Sequence, residues 1–236
     1  MKNTLTIGGR ELISYFGSPV AYIVAAAFLA INGFLYGIII SQSKQADMSF
    51  VFSDMGIILL FVIPGITMRL LAEEQRMGTI ELLLTAPVRD WEVVIGKFAA
   101  AMALFLLMLI PTGLYAVFLI LWGHPDNSTI WTGYLGIILV GAVFVSIGLL
   151  TSTLTQNQLV AFIIAFVVSL ILWLFDGLSS TFSASAGTVI TYLALQQHLS
   201  DFQSGSIQSK DVVYFLSITI CALFLSTRLL ETRRYR

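Results

Sequence analysis

The chain has 236 residues, 58% of them hydrophobic and 11% charged, with a mean hydropathy of +0.93. A soluble domain carries about 25% charged residues, so the charge here is too sparse to cover a water-exposed surface, and lipid is the solvent for much of the chain. The formal net charge of -1 removes global basicity as a pointer to nucleic acid, and the single cysteine, Cys221, excludes an internal disulfide.

Lys2 and Arg10 precede the first apolar run, as in a signal peptide, but that run is uncharged and too long for a signal-peptide core. It reads as a retained first span. Residues 10–17 come before it, with Leu12, Ile13 and Phe16 at helical spacing opposite Arg10, Glu11 and Ser14. They predict a short helix in the membrane interface, ended by Gly17 and turned by Pro19.

Six runs approach the ~20 residues needed to cross hydrocarbon. They lie at about 20–40, 50–71, 98–122, 130–150, 159–175 and 212–230. In the second, Asp54 and Arg69 must sit at opposite interfaces, the Arg snorkelling outward. Pro64 with Gly65, and Pro111 in the third, predict kinks, because each proline removes a backbone hydrogen bond. The expected class is an all-α integral membrane protein with six transmembrane helices, an N-terminal interfacial helix and a short helix in the loop 72–97. No stretch is long enough for a separate soluble domain, so residues 1–236 read as one transmembrane domain.

Orientation follows from Lys and Arg. The side holding the termini, the loop Arg69–Lys97 and the loop Thr151–Gln158 carries ten basic residues; the other carries Lys44 and Lys210. The rule for basic loops puts both termini in the cytoplasm. Trp122, Trp131 and Trp173 fall at expected outer ends and Trp91 at an inner end, where an indole finds both an apolar surface and a partner for its N–H. The outer segment 176–211 is long for a loop. Its apolar stretch Val189–Leu195 is too short to span and reads as a partly immersed helix or a re-entrant hairpin.

The densest charge lies in the inner loop: Glu73, Glu74, Arg76, Glu81, Arg89, Asp90 and Glu92. Gly78 and Thr79 can open a short helix that Pro87 ends, presenting Ile80, Leu82, Leu83 and Leu84. Asp90 is expected to cap the next span, with Glu92 in its first turn. Two readings of the short helix stand side by side. It is a peg for a groove on a soluble partner, or a connector lying on the membrane surface.

The pattern Glu-Glu-x-x-x-Gly-Thr-x-Glu-x-Leu-x-x-x-Pro-Val at Glu73–Val88, followed by Gly96-Lys97, resembles the cytoplasmic loop of ABC-2 type transporter permeases. Glu11-Leu-x-x-Tyr-Phe-x-Ser-Pro-x-Ala-Tyr22, then His198, Phe202, Gly205, Asp211-Val-Val-Tyr214 and the basic C-terminus, resemble the gliding-motility-associated branch. The resemblance implies a permease that pairs with a second, identical or homologous permease. It also implies two copies of a separate cytoplasmic ABC ATPase that bind ATP and Mg2+, with no cofactor in this chain. Carried onto this sequence, Glu73, Glu74, Arg76, Gly78, Thr79, Glu81, Leu82 and Pro87 fall on the loop motif of the coupling helix. Apolar groups dock, carboxylates pair with basic groups of the ATPase, and Gly78 permits the turn. The implied function is an exporter in a bacterial cytoplasmic membrane; a membrane anchor that recruits an ATPase without transport is the alternative.

Gly96-Lys97 is not a phosphate loop, since the earlier glycine is missing and Phe98 follows. Gly33-x-x-x-Gly37 permits close helix contact, within the chain or at a dimer seam. Gly133, Gly136, Gly141 and Gly148 read as packing. Asn32, mid-span, hydrogen-bonds a neighbour or faces a path. His124 and His198 read as packing histidines, and neither a metal cluster nor a catalytic constellation is legible.

Overall fold

The computed structural model describes residues 2–43, 48–80, 88–122, 126–179 and 191–234. The helices are α1 (Lys2–Phe16), α2 (Pro19–Ser43), α3 (Ser49–Thr67), α4 (Ala72–Arg76), α5 (Asp90–Leu109), α6 (Gly113–Trp122), α7 (Asn127–Leu154), α8 (Gln158–Ser179), α9 (Leu195–Gln203) and α10 (Ser209–Arg234). A 3-10 turn, Ile110–Thr112, joins α5 to α6. No strand occurs among the described residues. Six stretches, α2, α3 with α4, α5 with α6, α7, α8 and α10, are long and apolar enough to cross a membrane. The molecule is therefore an all-α, multi-pass membrane protein.

Most elements run past their expected ends. The interfacial helix begins at Lys2 rather than near residue 10. The third span begins at Asp90, so residues 90–97 belong to a helix and not to a loop. The fourth reaches Leu154, taking Thr151, Ser152 and Thr153 out of the expected loop and burying them. Hydropathy marks the stretch inside hydrocarbon, whereas backbone hydrogen bonding continues the helix into the interface.

α7 is the central post. Its apolar window is 72% buried inside the bundle, against 11% for α2. The reason is its glycines. A Cβ built on Gly133 would fall 2.1 Å from the Phe52 ring of α3, and one on Gly141 2.1 Å from the Phe105 ring of α5. One on Gly136 would meet Leu199 and Phe202 of α9 at 2.9 Å, and one on Gly148 would lie 1.9 Å from Thr67 Oγ1. Bare backbone at four levels lets neighbouring helices seat their side chains against the axis of α7.

Pro64 stays inside a continuous α3, whereas Pro111 sits in the break between α5 and α6. Carbonyls near such a break need partners in lipid, and side chains supply them. Thr112 Oγ1 donates to Leu109 O (2.7 Å), Tyr134 to Thr112 O (2.8 Å) and Tyr36 to Tyr115 O (2.9 Å). Tyr115 in turn donates to Leu29 O (3.2 Å) and stacks on Tyr36. Asn32 donates to Phe28 O of its own helix (2.7 Å).

One expectation is corrected at the other end. Trp173 is no interface anchor: it is 4% exposed, wedged against Gly56 of α3. Of the partly immersed helix or hairpin expected over 189–195, residues 189 and 190 are outside the described residues, Thr191 and Tyr192 are helical, and the chain turns at Leu193 before α9 begins. α9 buries Leu195, His198, Leu199 and Phe202, the i, i+3, i+4, i+7 stripe of an amphipathic helix. Its C-terminal carbonyls are held by Thr132 Oγ1 on Phe202 O (2.6 Å) and Ser49 Oγ on Gln203 O (3.2 Å).

Candidate functional site at the α4 end

α4 is five residues long, too short to hold itself, and α7 holds it. Ser152 Oγ accepts from the backbone N–H groups of Leu71 and Ala72, both at 2.9 Å, and donates to Met68 O (3.2 Å). Those N–H groups are donors that a helix start leaves without partners. Gln75, buried, donates to Ser152 O (3.2 Å) and Thr153 O (3.1 Å). Each helix end thus satisfies the other.

The second tie is ionic. Lys97, 1% exposed, reaches Glu11 Oε2 of α1 at 3.1 Å and Glu74 Oε1 of α4 at 2.9 Å. A buried ammonium needs such acceptors, and one lysine thereby joins three segments. Arg69 adds a contact to Ser18 Oγ (3.0 Å) and pairs with Glu73 (3.5 Å). Tyr15 of α1 donates to Ile66 O near the end of α3 (3.0 Å). Burial pushes the Tyr15 hydroxyl up from its ordinary value, so it stays a donor.

α1 reaches this position because two glycines let it. A Cβ on Gly8 would lie 3.1 Å from Gly96 O, and one on Gly96 would lie 3.0 Å from Thr4 O and 3.1 Å from the Ile7 side chain. The helices cross backbone to backbone one residue before Lys97. Asn3 donates to Glu92 Oε2 (3.1 Å), which also accepts from Arg89 N (3.1 Å). The residue at the cap of α5 is Arg89, in extended backbone, and Asp90 is its first helical residue. This corrects the expected cap: Glu92 reaches back to the cap N–H, so Asp90 is not needed for it.

Of the loop-motif residues, Glu73 and Glu74 turn to partners within the chain, Arg69 and Lys97. Arg76 and Met77 are exposed, and Gly78 has φ +73°, the left-handed region that favours glycine. Thr79 Oγ1 donates to Glu74 O (3.3 Å), and Ile80 is half-buried. Glu81, Leu82, Leu83, Leu84 and Pro87 lie outside the described residues. A Cβ on Gly33 would lie 3.1 Å from the Tyr115 hydroxyl of its own chain, whereas one on Gly37 would meet nothing within 4 Å among the described residues.

Ser152 and Gln75 were not singled out from the sequence, and Lys97 entered it only as part of the Gly96-Lys97 pair, with no partner expected. A lysine in a helix that is otherwise apolar from Val93 onward was the available signal, since such a charge has to find a partner. The arrangement moves no bond. It is a platform of three helix ends that carries a charged turn and delivers the chain, past Gly78, to the segment beyond.

No curated protein matches the chain. The family model described as ABC-2 type transporter matches residues 2–184, which takes in α1, the platform and five of the six spans. The chain therefore belongs to the ABC-2 type transporter family, as a permease subunit of an ABC transporter.

Proposed function

We propose that this permease is the membrane half of an ATP-driven exporter, moved by a separate cytoplasmic ATPase that docks on the segment 78–87. Two ATPase copies bind ATP and Mg2+, and this chain holds neither. A second permease, identical or homologous, completes the path, and the chain belongs to the gliding-motility-associated branch. The membrane is the bacterial cytoplasmic membrane, with both termini and the platform inside, and residues 1–236 act as one transmembrane domain. Gly37, open on its helix face, suits a seam with the second permease.

The observation that carries the reading is the fastening of α4. Force applied just past Gly78 reaches α7 through Ser152 and Gln75, and α1 and α5 through Lys97. A mere surface connector needs no such ties. Leu82, Leu83 and Ile80 supply the apolar contact, Glu81 and Arg76 the charged rim, Thr79 and Pro87 the helix limits.

Replacing Leu82 and Leu83 together by Asp is expected to release the ATPase from membranes while the permease stays inserted. Co-purification of the ATPase with the variant, in wild-type amount, would remove the docking claim. Retained binding with hydrolysis indifferent to the permease would make the chain an anchor instead.

A further inference from the structure

At the α9 end of the bundle lies a histidine whose bonds do not balance when its ring is neutral and its carboxylate partner is ionised. His198 is 3% exposed and Asp211, in the first turn of α10, is fully buried. His198 Nδ1 lies 2.6 Å from Asp211 Oδ1, and His198 Nε2 lies 2.9 Å from the carbonyl oxygen of Tyr192. The ring stacks on Tyr214 at 4.0 Å between centroids, and the Tyr214 hydroxyl donates to the next carbonyl, Leu193 O. The approach to α9 is thus gripped at two successive carbonyls, by one side chain from α9 and one from α10.

A carbonyl oxygen accepts and never donates, so Nε2 must carry hydrogen. An ionised carboxylate also accepts without donating, so Nδ1 must carry hydrogen as well. A neutral imidazole has one N–H. With a neutral ring and an ionised Asp211, one of the two contacts sets lone pair against lone pair. Asp211 Oδ2 is buried with no hydrogen-bond partner among the described residues, so a carboxylate that lost its cation would be left without compensation. The face of Tyr214 beside the ring is likewise the negative part of an aromatic quadrupole and favours a cation.

We propose that His198 and Asp211 hold one proton beyond neutral imidazole and carboxylate, as imidazolium and carboxylate, and that this proton locks the segment before α9 to α10. The inference does not rest on the transport reading. The other groups around the pair leave this count unchanged. Lys210 is paired with Asp201 at 3.1 Å and Tyr192 meets the ring edge-on, while Asp54 stands on α3, Asp126 before α7, and Asp176 of α8 has an interaction of its own; the hydrogen bonds of the His198 ring among the described residues are those to Asp211 and Tyr192. The sign follows directly. Lower pH keeps the proton and the lock; rising pH removes the proton, and one of the two contacts must break.

The chain has two histidines, so His124→Asn leaves a single ring to observe. In the full chain in lipid nanodiscs with 15N-labelled histidine, both ring nitrogens are expected to bear hydrogen at neutral pH, one proton leaving in a single step as pH rises. In Asp211→Asn the amide can donate to Nδ1. A neutral ring then keeps both contacts and the step disappears from that range. Ala194, fully buried, reports the lock. In a Cys221→Ala background, Ala194→Cys should react with maleimide above the step and stay protected there when Asp211→Asn is added. A wild-type ring with a bare Nδ1 at neutral pH overturns the proposal, whether or not the variants insert. So does an Ala194→Cys reactivity that ignores the step.

Discussion

Lys97 shows how one side chain can organise a membrane-protein end. Its ammonium sits between carboxylates from α1 and α4, with 1% exposure for the lysine and 17–19% for the acids. Removing the cation leaves two carboxylates facing each other at the edge of lipid. Lys97→Met is expected to cost about 3 kcal/mol in thermal unfolding, the lower end for breaking a buried pair because both acids still reach water. Adding Glu11→Gln and Glu74→Gln should recover most of that loss, since the whole ionic group can be replaced where a single member cannot. Failure of the triple variant to recover would mean that the lysine stem, not its charge, holds the joint.

Among the helices, α7 is the one whose sequence decides the packing, and its glycines act by what they lack. Gly141→Ala pushes a methyl group into the Phe105 ring, with a Cβ position 2.1 Å from it, and overpacking of this kind costs about 1–3 kcal/mol. Gly37→Ala, whose Cβ would meet nothing within 4 Å among the described residues, should not destabilise the isolated chain. Unfolding in detergent, compared between the two, checks both. The spans were legible because each is an unbroken apolar run, which hydrocarbon demands. Their ends were not, because residues such as Lys97, Thr151 and Ser152 look like loop yet satisfy themselves within a helix. α9 was missed because its stripe at Leu195, His198, Leu199 and Phe202 is diluted by Gln196, Gln197, Ser200 and Asp201. Composition therefore hid what period would have found. The platform was half legible: the charged loop was plain, but the partners of Glu74 and Glu11 on Lys97 lie 23 and 86 residues away, beyond what local spacing encodes.

The assembled molecule is unevenly covered. α3 and α7 are mostly enclosed, while the apolar windows of α2, α8 and α10 are 11%, 22% and 28% buried. Within one chain, these three leave most of their surface to lipid or to the second permease proposed above. Six crossings bring α1 and the C-terminus of α10 to one side, and α4 to that same side. If the platform faces the cytosol as proposed, a cysteine at Arg76, an exposed position, should react with an impermeant reagent only after the cells are opened. Labelling of intact cells at that position would reverse the orientation and remove the docking surface with it.

The crossing of Gly8 over Gly96 carries a mechanical corollary. Two helices that meet almost backbone to backbone, and are tied on either side by Asn3 to Glu92 and by Glu11 to Lys97, move together, so α1 follows the foot of α5. α1 holds Leu5, Ile13 and Phe16 outward, and such groups grip the headgroup boundary. Any swing of α5 must then drag a keel through the membrane surface, and the stiffness of the surrounding lipid becomes part of the load.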